Sequence, residues 1–212
     1  MTYDLRPCSL EVVRALCAKY HGYGGAGTMA AYAFAVYEGE KVVAAYAWQP
    51  PPPGAAKSVC PEFPQGVLAL SRMVAVPRGE RELNHISKPL REQMRRLIDR
   101  TRWPVLVTYH DEGQGHTGHV YKCSGWEKTA VARAATYVDA AGKRTSSYSN
   151  GGSAKATLKR DGTTTIHRWE HWVCPRGAAK KWSRQHGWVR EVIKGKVWRS
   201  GAQAYRFVKK EM

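Results

Sequence analysis

A mixed α/β (α+β) domain carrying a basic C-terminal extension is what this sequence predicts, on three observations. Two nearly all-apolar segments of strand length, Val67 to Val76 and Pro104 to Tyr109, read as central strands covered on both faces. Segments with helical apolar spacing separate and follow them, so helices and strands alternate as in a layered sheet protein. The charge is lopsided: residues 1–142 hold 17 basic and 13 acidic side chains, whereas residues 143–212 hold 17 basic and 4 acidic ones. The expected division is therefore a sheet domain over 1–142 and a basic, Trp-rich, β-containing extension over 143–212 packed on it. The turn-rich stretch from Thr145 to Ser153 marks the boundary.

Taken in order, Ser9 is placed to cap a helix running to about Tyr20, with Val12, Val13, Leu16 and Tyr20 on its apolar stripe. A glycine-rich segment, His21 to Gly27, follows. Two strands, roughly Met29–Tyr37 and Val42–Trp48, are joined by the short turn Glu38-Gly39-Glu40-Lys41. Pro50 to Pro53 break regular structure, and a loop is expected as far as Gly66. The strand from Val67 is interrupted by Ser71-Arg72. An arginine inside an apolar strand needs a partner, because an unpaired buried charge costs several kcal/mol. Such a residue reads either as a sheet-edge arginine reaching solvent or as the mark of a strand splaying open at a cleft.

Ser87 is the expected cap of a helix from about Lys88 to Arg102, with Pro89 in its tolerant first turn. Leu90, Met94, Leu97 and Ile98 form its buried face, while Arg91, Arg95, Arg96 and Arg100 lie off it as a solvated face or as nucleic-acid contacts. The strand ending at Tyr109 runs into His110-Asp111-Glu112-Gly113-Gln114-Gly115-His116. Polar residues beyond the carboxyl end of a central strand occupy the usual ligand position of an open α/β sheet. A short helix from Thr117 to about Ser124 closes at Gly125. In the extension, turns are expected at Asp161-Gly162 and near Lys194-Gly195, with most of the tryptophans in the extension's own core.

Composition excludes several classes. The formal charge of +17 points to a polyanion, either nucleic acid or an acidic membrane surface. No apolar run is long enough to span a bilayer, and the first residues lack a secretory pattern. Five scattered cysteines form no CxxC, so the expected environment is reducing and cytoplasmic. Five of the eight tryptophans lie in the basic extension, where they are able to stack or wedge against bases beside phosphate-contacting cations.

The order of hairpin, splayed strand, helix, strand and then Gly-His-Thr-Gly-His-Val-Tyr-Lys-Cys-Ser-Gly-Trp resembles the GNAT acyltransferase fold, with Tyr121, Gly125 and Trp126 at its late helix. More specifically, Leu70-Ser71-Arg72, Asn84 with Ser87, Tyr109 with Asp111, and Gln114, His116, Gly118, Tyr121 and Trp126 resemble the pattern of the phage Mom family of DNA adenine modification proteins. The match covers roughly residues 18 to 130. It implies a GNAT-like mixed sheet, conversion of the adenine N6 amino group in double-stranded DNA to a carbamoylmethyl derivative that protects against restriction, and an iron (Fe2+) requirement. The segment from Val76 to Ser87 has a single glycine and lacks the Arg/Gln-x-x-Gly-x-Gly/Ala turn that cradles acetyl-CoA in GNAT enzymes, so acetyl-CoA or a related donor stays open.

On that resemblance the catalytic candidates are Ser71, Arg72, Asp111, His116 and Tyr121. Asp111 serves as base or metal ligand, and Ser71 with Arg72 holds an anionic donor group or orients Asp111. Asn84, Ser87 and Ser124 are the expected donor- or substrate-binding residues, and His21, Tyr23 and Asp111 the expected iron ligands. His110 is expected to point away from Asp111 and lie at the surface, and Cys123 to be buried and inert. Lys159, Arg160, Arg168, Lys180, Lys181 and Arg184 are the expected DNA contacts. Two other readings stay open: a GNAT-type N-acetyltransferase acting on a protein or small amine, and a non-catalytic DNA-binding protein. A homodimer is also left open.

Overall fold

A computed structural model describes residues 3–21, 29–60, 64–100, 103, 105–138, 144–145, 159–172, 188–197 and 203–209. Its main sheet has eight strands in the order β1-β2-β3-β4-β5-β8-β6-β7. The strands are β1 (Asp4–Pro7), β2 (Tyr32–Glu38), β3 (Lys41–Gln49), β4 (Val67–Ala75), β5 (Val105–Asp111), β6 (Glu127–Val138), β7 (Arg144–Thr145) and β8 (Lys159–Trp172). The helices are α1 (Leu10–Tyr20), α2 (Pro53–Val59), α3 (Ser87–Arg100) and α4 (His119–Cys123). Two further strands, β9 (Trp188–Val197) and β10 (Gln203–Lys209), form a separate antiparallel ribbon. Among the described residues no helix is long and apolar enough to cross a membrane.

Strand alternation sorts the central side chains onto two faces. Ala45, Ala47 and Val74 meet Val13 and Cys17 of α1 on one face, and Val67, Ala69, Val105 and Val107 meet Ala56 and Val59 of α2. Tyr46, Trp48, Leu68, Leu70 and Leu106 join Leu90, Met94 and Leu97 of α3 in the largest cluster, which α4 extends through Tyr121. This two-sided burial is why β4 and β5 read as nearly continuous apolar runs. Ser9 occupies the N-cap of α1 with extended backbone, but its side chain makes no capping bond.

The sheet changes character in its middle. Three parallel pairs join β4 to β5, at Val67–Val105, Leu68–Leu106 and Ala69–Val107. Beyond them β4 continues with β3 as far as Ala75, and β5 continues with β8 as far as Asp111. The two strands therefore diverge, which answers the question posed by Arg72: the strand opens at a cleft. At the fork Thr108 Oγ1 donates to Leu70 O at 3.1 Å. The register slips where Ala47 faces Arg72 and Trp48 faces Leu70, so Ser71 bulges out of the ladder. Its hydroxyl donates back to Ala47 O at 3.0 Å.

Several expectations are corrected. The division at 142/143 cuts through one sheet, because β8 lies between β5 and β6 and hydrogen-bonds to both. Trp169 belongs to the main core rather than to a core of the extension. Asp161-Gly162 is not a turn: β8 runs through it, with Gly162 at φ +103° beside a register shift in β6. Lys194-Gly195 likewise lies inside β9. The stretch after Pro50 holds α2, since Pro53 sits in the first helical turn, where a missing N–H costs nothing.

A chain ending at residue 142 loses β8 and leaves the facing edges of β5 and β6 bare. We expect it to show no cooperative thermal transition by circular dichroism, where the full chain melts in one step. A cooperative melt of the truncated chain would contradict the role given to β8.

Candidate active site

Where β4 and β5 part, the fork opens into a cavity of about 450 Å³. His21 enters from the end of α1, Ser71 and Arg72 from the bulged part of β4, and Tyr109 and His110 from β5. His116 comes from the loop after β5 and Tyr121 from α4. Five expected residues, His21, Ser71, Arg72, His116 and Tyr121, thus share one hollow.

Each is positioned by local backbone. His21 ends α1, its N–H bonded to Cys17 O at 2.9 Å. Arg72 follows the bulge, and its Nη1 donates to Ser71 O at 2.7 Å. The loop carrying His116 is bracketed by Gly115 and Gly118, at φ +73° and +70°, a region that disfavours side chains. Gly118 also has no room for one. A Cβ there would lie 2.5 Å from Trp169 Cζ2 and 2.7 Å from His110 Cε1. Only glycine lets α4 begin against that wall.

The electrostatics are those of a partly dry, cationic pocket. Burial, then the Arg72 guanidinium, then His116 push the His21 imidazole down to about 4, so it is unprotonated at neutral pH. Burial raises the Tyr121 phenol, partly offset by its hydrogen bond with Thr108, so it keeps its proton. Burial also raises Tyr109, where the nearby Arg168 pulls the other way.

Four expected residues do not reach the cavity wall. Asp111 is buried, but its carboxylate accepts the Gly113 N–H at 2.9 Å and the Thr164 hydroxyl. It caps the turn Glu112–Gln114 and joins that turn to β8. The physical reason is local: the carboxylate turns back onto the Gly113 N–H and the β8 hydroxyl of Thr164 rather than toward the hollow. Ser124 donates to Val120 O at 2.7 Å and to Ser87 O at 3.3 Å, clasping α4 to the start of α3. Asn84 is exposed, two residues before Ile86, which does line the cavity.

The iron ligands expected from the resemblance do not assemble among the described residues. His21 is at the cavity, Asp111 is outside it with its carboxylate engaged, and Tyr23 lies outside the described residues. Among the described residues no three His, Cys, Asp or Glu side chains are grouped to hold a metal ion. Among the described residues this donor set is not complete for iron, and no chemical step is derived through it.

Of the expected DNA contacts, Lys159 and Arg160 are exposed at the start of β8. Arg168 is instead an internal tie: its Nε lies 3.0 Å from the buried Glu170 carboxylate, and its Nη1 donates to Ser58 Oγ at 3.2 Å. Lys180, Lys181 and Arg184 lie outside the described residues. On α3, Arg96 is also engaged, with Leu5 O and Glu92, while Arg91 and Arg95 are exposed.

Two residues depart from their expected places. His110 is buried, not superficial; its Nδ1 accepts the Trp169 Nε1–H at 2.7 Å, and its ring stacks on His167 with centroids 4.5 Å apart. Cys123 is exposed, with Sγ 3.3 Å from His119 Nε2 one helical turn away. The His119-x-x-x-Cys123 spacing carried that second signal.

This mixed sheet with a polar cavity in its central fork defines a GNAT-type fold. It is similar to the ribosomal-protein-S18-alanine N-acetyltransferase of Escherichia coli, with a TM-score of 0.53 at 10% identity, covering 83% of this chain and 97% of that one. It is also similar to an N-acetyltransferase from Staphylococcus aureus Mu50, with a TM-score of 0.52 at 10% identity, covering 82% of this chain and 100% of that one. Identities so low establish the fold alone. The chain itself belongs to the Mom protein family, whose family model matches residues 2–208. No curated protein matches the sequence.

Two outcomes are expected. Burial lowers His21, His110 and His171, so between about 6.5 and 4 the unfolded chain binds protons that the folded chain refuses. Stability should therefore fall as pH drops through that window, measured as a falling urea midpoint; a flat profile would contradict the burial of these rings. Gly118→Ala should destabilise the fold by at least ~1–2 kcal/mol from its left-handed backbone alone, and shift the fluorescence of Trp169. An unchanged urea midpoint would show that the wall yields easily.

Proposed function

We propose that this chain is a transferase that modifies DNA, acting on the N6 amino group of adenine in a duplex and leaving a carbamoylmethyl group there. The observation that carries the reading is the convergence of His21, Ser71, Arg72, His116 and Tyr121 on the central fork of a Mom-family chain. The formal charge of +17 suits a polyanionic substrate. A cavity of about 450 Å³ falls in the range that takes a small ligand, and suits an extruded base beside a small donor.

The residues supply complementary roles. The adenine N6 is a poor nucleophile because its lone pair is delocalised into the ring, so a proton must leave as the new bond forms. His21, uncharged at the pocket wall, receives that proton, and the exposed His116 passes it to solvent. The Arg72 guanidinium faces negative charge on the donor or on the developing transition state. Tyr121, held protonated by burial, donates to a leaving or carbonyl oxygen. Asp111 acts through the loop it caps rather than on substrate. The GNAT-type fold favours a second reading, acetyl transfer to an amine. Against it, the segment after β4 forms a short 3-10 turn at Arg78–Glu80 and carries a single glycine.

Nucleoside mass spectrometry of DNA from bacteria expressing the chain should show a modified adenine. Arg72→Ala should lower its yield at least ~100-fold while salt-sensitive DNA binding is kept. Unmodified adenine alone, together with tight acetyl-CoA binding in calorimetry, would replace this reading by the second.

A further inference from the structure

We propose that His110 is a hydrogen-bond donor of fixed tautomer in the cavity: a neutral imidazole, protonated on Nε2, that donates to an sp2 lone pair of the bound reactants. The indole N–H of Trp169 has no acceptor capacity, so a 2.7 Å contact with His110 Nδ1 requires a bare lone pair on that nitrogen. In a neutral ring the proton is then on Nε2. Protonating both nitrogens would set two N–H groups head to head inside a buried contact. Among the described residues Nε2 meets no protein partner, yet it is not one of the sealed, unpartnered atoms. His110 lines the cavity, and with Nδ1 engaged by Trp169, Nε2 is its remaining nitrogen for a ligand there.

The surroundings hold this ring still. His167 stacks on one side at 4.5 Å, and its own Nε2 lies 3.3 Å from the Glu112 carboxylate. Tyr121 lies 6.4 Å away in a near-parallel stack. Gly118 leaves no gap into which the ring could turn. A donor that neither rotates nor changes charge costs no reorganisation when negative charge develops on its acceptor. A neutral imidazole polarises that acceptor without surrendering its proton. The acceptor is either a ring nitrogen of the extruded purine or the carbonyl oxygen of the transferred group. Its use rests on the transfer reading above; the tautomer does not.

The tautomer is tested on the full-length protein labelled with ¹⁵N-histidine, with the His110 signals assigned by their loss in His110→Gln. At pH 7 we expect a protonated Nε2 and a bare Nδ1, and a mixture of tautomers in Trp169→Phe. A protonated Nδ1, or an imidazolium, in the unaltered protein overturns the inference whatever the activity. For the role, His110→Phe keeps the stacking and should modify DNA at least ~100-fold more slowly, with melting curves checking that it folds. His110→Gln brings an amide N–H to the place of Nε2 and should recover much of the loss. An unaltered rate in His110→Phe overturns the role.

Duplexes carrying 1-deaza-, 3-deaza- or 7-deazaadenine separate the two acceptors. A ring-nitrogen partner makes one of them a poor substrate whose rate is no longer sensitive to His110→Phe. A carbonyl partner leaves the full loss on all three. An inactive protein with the expected tautomer would overturn the transfer reading, and with it this role, while the tautomer assignment stands.

Discussion

The parting of β4 from β5 after three paired residues is the constraint on which the rest of the molecule depends. A parallel pair that opens must find other partners for the backbone groups it releases, because buried N–H and C=O groups without partners cost about 1–3 kcal/mol each. On their outer edges β4 stays paired with β3 and β5 with β8, while their inner edges face the fork. Thr108 spans the point of divergence by donating to Leu70 O. The hollow thus persists as a feature of the hydrogen-bond ladder, with side chains merely decorating its walls.

Those walls differ in character. The β4 side brings a cation, Arg72, placed by a bulge that adds one residue to the strand. The β5 side brings aromatic and imidazole rings braced against one another: Tyr121, His110, His167 and Trp169. A cationic face opposite a rigid ring-lined one suits a reaction in which charge moves across the gap. The ring-lined wall is braced from behind: Trp169 comes from β8, the same strand that completes the sheet.

Much of this was legible in the sequence, and the misses have physical causes. The apolar runs at Val67 and Val105, the amphipathic α3 and the Gly39 turn announced themselves by period and by turn chemistry. The splay was one of the two readings that a serine and an arginine inside an apolar strand allow, the other being a sheet-edge arginine. The position of β8 was not legible, because its alternation is diluted by Arg168 and Glu170, which face each other as a pair inside the protein. Its charge made it resemble a tail. The part played by Asp111 was hidden because its carboxylate turns back onto Gly113 and onto Thr164, which lies 53 residues downstream. A resemblance in sequence carries no such information. Asp111 can therefore match a motif and still serve to cap a turn.

Because β8 lies so far downstream, the ribosome finishes the outer edge of β5 long before the strand that covers it exists. At about 5–20 residues per second, Asp111 waits roughly 3–12 s for Trp172 to be made. During that interval His110 has no indole to anchor it and the rear of the hollow stands open. The arrangement around His110 is therefore completed only when β8 pairs with β5 and closes the sheet.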